Sequence, residues 1–112
     1  MGYRVLRPSE FEFEDRPYRE DEPSRYAAEL TAGLALEHSR ARVWRYPPGT
    51  RGRRHADRAQ EEVFVVLAGE PTMYLDEPPE RVQLETGAVV AVRPGTILQI
   101  RNEGEREARL FI

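Results

Sequence analysis

Between positions 46 and 102 the chain never runs far without a proline or glycine that breaks regular structure: Pro47-Pro48-Gly49, Gly69, Pro78-Pro79, Gly87 and Pro94-Gly95. Proline lacks a backbone donor and glycine supplies the angles that tight turns need, so this spacing excludes long helices. The stretches between the breaks are short and rich in β-branched and aromatic residues. Residues 42–46, 62–67, 71–75, 81–84, 88–92, 97–101 and 108–112 each read as a strand. Residues 62–67 are apolar on both faces after Glu62, and 88–92 are almost wholly apolar, so both are expected to be buried strands. Evenly spaced strands with almost no helix imply an all-β fold, a sandwich or barrel of two antiparallel sheets.

The first third of the chain is less regular. Tyr3 and Val5 flank Arg4 in the alternation of a half-buried strand. Residues 12–25 are dense in acid, base and proline, the composition of a solvated arm. Residues 26–30 read as a short strand or irregular link, and 34–37 and 42–46 as two strands joined at His38-Ser39. This divides the chain into an N-terminal strand and arm, residues 1–33, and a β-barrel, residues 34–112, within one domain. The apolar ending at 108–112 leads us to expect that the native polypeptide continues past Ile112 or that this end meets a partner.

Charge and composition narrow the function. Seventeen basic against twenty acidic residues give a formal net charge of -3, where a nucleic-acid-binding domain normally carries a basic excess. No cysteine is present, which excludes disulfides, thiolate metal ligands and a cysteine nucleophile. No apolar run approaches membrane-spanning length, and a cytoplasmic protein is expected. No serine sits in a nucleophile elbow, and neither a P-loop nor a dinucleotide fingerprint occurs.

Two spaced sets of residues remain. The first is Gly49, five residues, His55-Ala56-Asp57, four residues, Glu62, six residues and Gly69. The second is Gly87, Arg93, Gly95, Leu98 and Asn102. With these sets the chain resembles the cupin superfamily, in the form of a small single-domain cupin, and the resemblance implies a jelly-roll barrel. It also implies that His55 and Glu62 stand at metal-ligand positions, since in that family three histidines and a glutamate hold a divalent metal inside the barrel. Here Asp57 stands where the second histidine belongs, Leu98 where the third belongs, and Arg93 in place of a proline.

Period two on a strand would place residues 55 and 57 on one face, with Glu62 reaching the same interior point from the neighbouring strand. Imidazole with carboxylates suits manganese, iron, nickel, copper or zinc. The competing reading is a satisfied polar cluster with no metal, favoured by the leucine at 98 and by Arg51, Arg53, Arg54 and Arg58 around His55. Those arginines read either as a solvated rim or as a gate for an anionic molecule. His38 lies outside both sets and reads as a surface residue.

Three functions follow. The first is binding of a small anionic or partly apolar ligand inside the barrel, with Phe64, Val66, Leu98, Ile100 and Arg53 as its pocket and His55, Asp57 and Glu62 as polar anchors. The second is a metal-dependent enzyme of dioxygenase or sugar-isomerase type. The third is a non-catalytic structural or regulatory dimer. A homodimer is expected in any case, because the outer valines of 62–67 and the apolar terminal strand are costly to leave in water. Neither nucleic acid nor membrane is expected as a partner.

Overall fold

The computed structural model describes residues 2–112. Among the described residues a 3-10 turn at Pro8–Glu10 is followed by nine strands: β1 (Glu14–Asp15), β2 (Tyr26–Glu29), β3 (Arg42–Tyr46), β4 (Glu62–Ala68), β5 (Thr72–Leu75), β6 (Glu80–Gln83), β7 (Val89–Val92), β8 (Leu98–Arg101) and β9 (Ala108–Phe111). They form two antiparallel sheets, six strands in the order β1-β2-β3-β9-β4-β7 facing three in the order β6-β5-β8. Residues 51–55 run beside β8, tied by bridges from Arg51 to Arg101 and from His55 to Leu98, so the smaller sheet gains an irregular fourth edge. The sheets enclose the core as a jelly roll without closing into a continuous barrel.

The core follows from alternation along the strands. Trp44, Tyr46, Phe64, Val66, Ala108 and Leu110 point inward from the large sheet and meet Met73, Leu98 and Ile100 of the small one. A second apolar layer covers the outer face of β2 and β3, where Leu6, Phe11, Phe13 and Leu34 pack on Ala28, Leu30, Ala41 and Val43.

Several expectations need correction. The segment around Tyr3 and Val5 is not a strand, and both side chains are exposed; Leu6 is the residue that packs. The arm is not wholly solvated, since Glu14–Asp15 pairs with Tyr26 and Ala27 at the sheet edge. Residues 34–37 form turns rather than a strand, because β2 and β3 already pair with each other over 26–29 and 42–45. The intervening backbone bonds locally instead, with Leu34 N–H donating to the Leu30 carbonyl and Leu36 N–H to that of Thr31, both at 3.0 Å.

Nor is β4 buried on both sides. Phe64 and Val66 are in the core, whereas Val63 and Leu67 are each 49% exposed. β7 likewise buries only Val92 fully, and Val89 stands 65% exposed. The outer face of β4 and β7 has no covering layer among the described residues, because the N-terminal segment that shields the large sheet lies over β2 and β3.

Asn102 fastens the bend after β8. Its amide donates 2.7 Å hydrogen bonds to the carbonyls of Tyr46 and Arg106, and its Oδ1 accepts from Gly104 N–H at 3.0 Å. Its backbone carbonyl also takes the N–H of Gly49, whose φ of 79° suits glycine.

Candidate functional site

A half-open cavity of about 1580 Å³ lies where the two sheets part, between the inner face of β2–β3 and the 51–58 segment, and its mouth reaches Val63, Val65 and Phe111. The inward parity of β3 supplies Trp44 and Tyr46 as one wall. Phe64, Leu98 and Ile100 are its apolar floor, and Arg53, His55, Asp57 and Glu62 border it from the opposite side. Val66 lies in the core and does not border the cavity.

His55 is held by reciprocal backbone bonds with Leu98, 3.0 Å from His55 N–H to the Leu98 carbonyl and 2.8 Å in return. Its Nδ1 lies 3.0 Å from the Arg53 carbonyl. A carbonyl can only accept, so Nδ1 carries the proton and Nε2 keeps its lone pair in the neutral ring. The bridging to β8 stops at this residue. Asp57 begins a turn in which its Oδ1 accepts the N–H groups of Ala59 and Gln60, both at 2.9 Å. Those two donors hold its carboxyl below the usual carboxylate range, helped by His55 and Arg40. The period-two placement of 55 and 57 does not hold here, since residues 56 and 57 lie outside any strand, and one Asp57 carboxylate oxygen is engaged by backbone. Glu62 opens β4 half-buried and makes no side-chain hydrogen bond among the described residues.

His55, Asp57 and Glu62 therefore face one cavity without converging. No group of three or more His, Cys, Asp or Glu among the described residues is arranged to hold a metal ion. At the remaining ligand position Leu98, 2% exposed, puts an alkyl group into the core. His55 Nε2 and the Glu62 carboxylate are left as donors unengaged by the described residues, short of a full ligand set for a divalent metal.

The arginines of the 51–58 segment divide. Arg51 is paired with Glu22 at 2.8 Å and stacks over Tyr18, which fastens the arm to the open edge of the jelly roll. Each partner's charge is favoured in consequence, with the Glu22 carboxyl lowered and Arg51 raised mainly by their shared hydrogen bond. Arg54 is paired with Glu77. Arg53 and Arg58 border the cavity with no ion pair among the described residues. His38 also stands at its rim, exposed beside Glu37, so this residue outside both sequence sets is near the site.

One residue of the cavity wall has no signal in either set. Arg25, on the inward parity of β2, is only 8% exposed. Its Nε donates to the Arg16 carbonyl at 2.9 Å and its Nη1 to the Tyr46 hydroxyl at 3.0 Å. Its guanidinium lies over the Trp44 ring at 4.5 Å and near the Tyr46 ring at 5.5 Å. Burial pushes the Tyr46 phenol above its ordinary value, and Arg25 offsets part of that rise. Gly52 makes the arrangement possible, because a Cβ there would stand 2.6 Å from the Tyr46 hydroxyl and 3.0 Å from Arg25 Nη1. The one clue in the sequence is parity: Arg25, Ala27 and Glu29 alternate with Tyr26 and Ala28, so the small Ala27 marks the face that Arg25 shares.

The family model for a cupin domain matches residues 42–112, more than half of the chain. The chain belongs to the cupin domain family. Among solved structures, this cupin is similar to a predicted oxalate decarboxylase from Thermotoga maritima, with a TM-score of 0.83, 20% identity, and coverage of 96% of this chain and 95% of the other. It is also similar to a sugar phosphate isomerase of the cupin superfamily from Silicibacter pomeroyi, with a TM-score of 0.82, 19% identity, and coverage of 96% and 73%. A third likeness is to CENP-C of Drosophila melanogaster bound to CAL1, with a TM-score of 0.71, 17% identity, and coverage of 96% and 82%. At such identities the likeness shows the fold alone, and one fold carries unrelated functions. Among curated proteins none matches the sequence.

Proposed function

We propose that this cupin binds a small, partly apolar anionic molecule in the cavity between its sheets. The observation that carries this reading is a roomy cavity with Phe64, Leu98 and Ile100 at its floor and arginines at its wall and rim, while its His and carboxylate groups do not converge. Apolar lining supplies affinity and a few placed polar groups supply orientation, the usual composition of a small-molecule site. Trp44 is the sole tryptophan and forms part of the wall, so its fluorescence reports on occupancy. The test is a panel of neutral, cationic and anionic small molecules followed by Trp44 emission and thermal shift. Saturable binding with a raised melting temperature is expected, and silence across the whole panel would overturn the reading.

A metal-dependent enzyme of dioxygenase or sugar-isomerase type is the second reading. The lone pair on His55 Nε2 and the unbonded Glu62 carboxylate at one cavity favour it, as does the likeness to a sugar phosphate isomerase. Metal analysis of untagged protein offered manganese, iron, nickel, copper and zinc separates the two. Near-stoichiometric metal that is lost in Glu62→Gln would replace the first reading with the second.

The proposal also includes a second copy of the chain as the partner of the large sheet. Val63, Leu67, Val89 and Phe111 form an exposed apolar row on the outer face of β4, β7 and β9. β7 ends the sheet with an unpaired edge among the described strands, and an antiparallel edge can pair with itself across a two-fold axis. No helix of the described residues is long and apolar enough to cross a membrane. A cytoplasmic location is included in the proposal, in keeping with a composition that holds no cysteine for disulfides.

A further inference from the structure

The geometry points to Arg25 as the anchor for a carboxylate, and to an apolar-tailed monocarboxylate as the class of ligand; the inference rests on the small-molecule reading above. A buried guanidinium is costly unless its charge is met, and none of the described carboxylates forms an ion pair with Arg25. Two of its nitrogens are spoken for, Nε by the Arg16 carbonyl and Nη1 by the Tyr46 hydroxyl. Nη2 makes no hydrogen bond within the described chain. Among the described residues every side-chain nitrogen and oxygen sealed from solvent has a partner, so Nη2 is not sealed, and Arg25 borders the cavity.

The rest of the arrangement holds that donor still. Trp44 lies against the guanidinium face, and Gly52 leaves room for the Tyr46–Arg25 bond. Nη2 carries two N–H groups, one beside Nε and one beside Nη1, so it can meet a carboxylate oxygen while the two engaged nitrogens fix its direction. The charge around it sets the valence of the ligand. Glu29 is matched by Arg42, and Asp57 and Glu62 offset Arg53 and Arg58 at the same cavity, so little positive charge beyond Arg25 is left for a second carboxylate. Phe64, Leu98 and Ile100 then receive the apolar remainder.

Benzoate and its neutral isostere benzamide are suitable probes. The wild-type protein is expected to show saturable quenching or enhancement of Trp44 emission and a raised melting temperature with benzoate, and little response to benzamide. In Arg25→Gln, with folding checked by circular dichroism, benzoate affinity should fall about tenfold or more, as for loss of one charge-assisted hydrogen bond. Equal binding of benzamide, or undiminished benzoate binding in Arg25→Gln, would overturn the assignment. Should that variant fail to fold, the benzoate-against-benzamide comparison on wild type decides alone. Binding of neutral panel members without any carboxylate preference removes the Arg25 anchor and leaves the small-molecule site standing. No binding by any class removes both.

Discussion

Replacing Asn102 by alanine should destabilise this cupin by about 3 kcal/mol, the sum of three small losses at one side chain. The two amide protons that reach the Tyr46 and Arg106 carbonyls at 2.7 Å disappear, and so does the oxygen that accepts from Gly104. Each hydrogen bond is worth about 1 kcal/mol net, and a buried carbonyl left without a donor costs about 1–3 kcal/mol. Gly104 lies in an exposed turn and its N–H can bond water, whereas the bond to the Tyr46 carbonyl is buried, so the larger share falls there. For a domain of this size the sum corresponds to about 10 °C in melting temperature. The assay is thermal unfolding followed by far-ultraviolet circular dichroism, with Asn102→Asp as the discriminating partner. Aspartate keeps the size and the acceptor but turns a second oxygen toward two carbonyl oxygens, so it should melt below the alanine variant at neutral pH. A loss of less than about 3 °C in Asn102→Ala, or wild-type melting in Asn102→Asp, would show that the side chain does not bridge the two segments.

Gly52→Ala should cost about 1–3 kcal/mol from overpacking, because its methyl group would meet the Tyr46 hydroxyl and Arg25 Nη1; denaturant unfolding measures it, and unchanged stability would mean that this close approach is absent. The Glu107 carboxyl is held below its ordinary value of 4.5 chiefly by its hydrogen bond from Arg45. A depressed folded-state value gives stability that is present above 4.5 and lost as pH falls below it, so acid melting curves should decline there and Glu107→Gln should flatten the decline. Light scattering should give twice the mass of the 112-residue chain, and Val89→Asp on the exposed face of β7 should halve it; a wild-type monomer would remove the dimer.

What could be read beforehand depended on how local the determinant was. The turns after β3, β4 and β6 announce themselves through Pro47-Pro48-Gly49, Gly69 and Gly87, because one residue type there nearly dictates the backbone. The inward faces of β3 and β8 follow from alternation within single strands. The apolar run of β4 was ambiguous, since such a run looks the same whether one or both faces are covered, and what covers a face is a distant part of the chain. The run at 34–37 resembles a strand by composition, but β2 and β3 had already taken each other as partners.

At the site, spacing brought His55, Asp57, Glu62 and Leu98 to one region, yet the orientation of Asp57 was decided by the backbone donors of Ala59 and Gln60. Arg25 was the least legible. It lies at the edge of a stretch crowded with charge, and its meaning depends on Trp44, Tyr46 and Gly52, which approach it only after folding.

The place of β9 bears on how the molecule is made. It lies between β3 and β4, pairing Val43 with Phe111 on one side and Val65 with Phe111 on the other, so the two halves of the large sheet touch only through it. A ribosome that has delivered β1 to β8 has therefore delivered two separate half-sheets whose inner edges are bare. Contacts of such long sequence separation form slowly, because a large loop must close before they are rewarded. Assembly of this cupin consequently waits until the chain is complete through Phe111, and until then Trp44, Phe64 and Val66 depend on whatever shields nascent apolar surface in the cell.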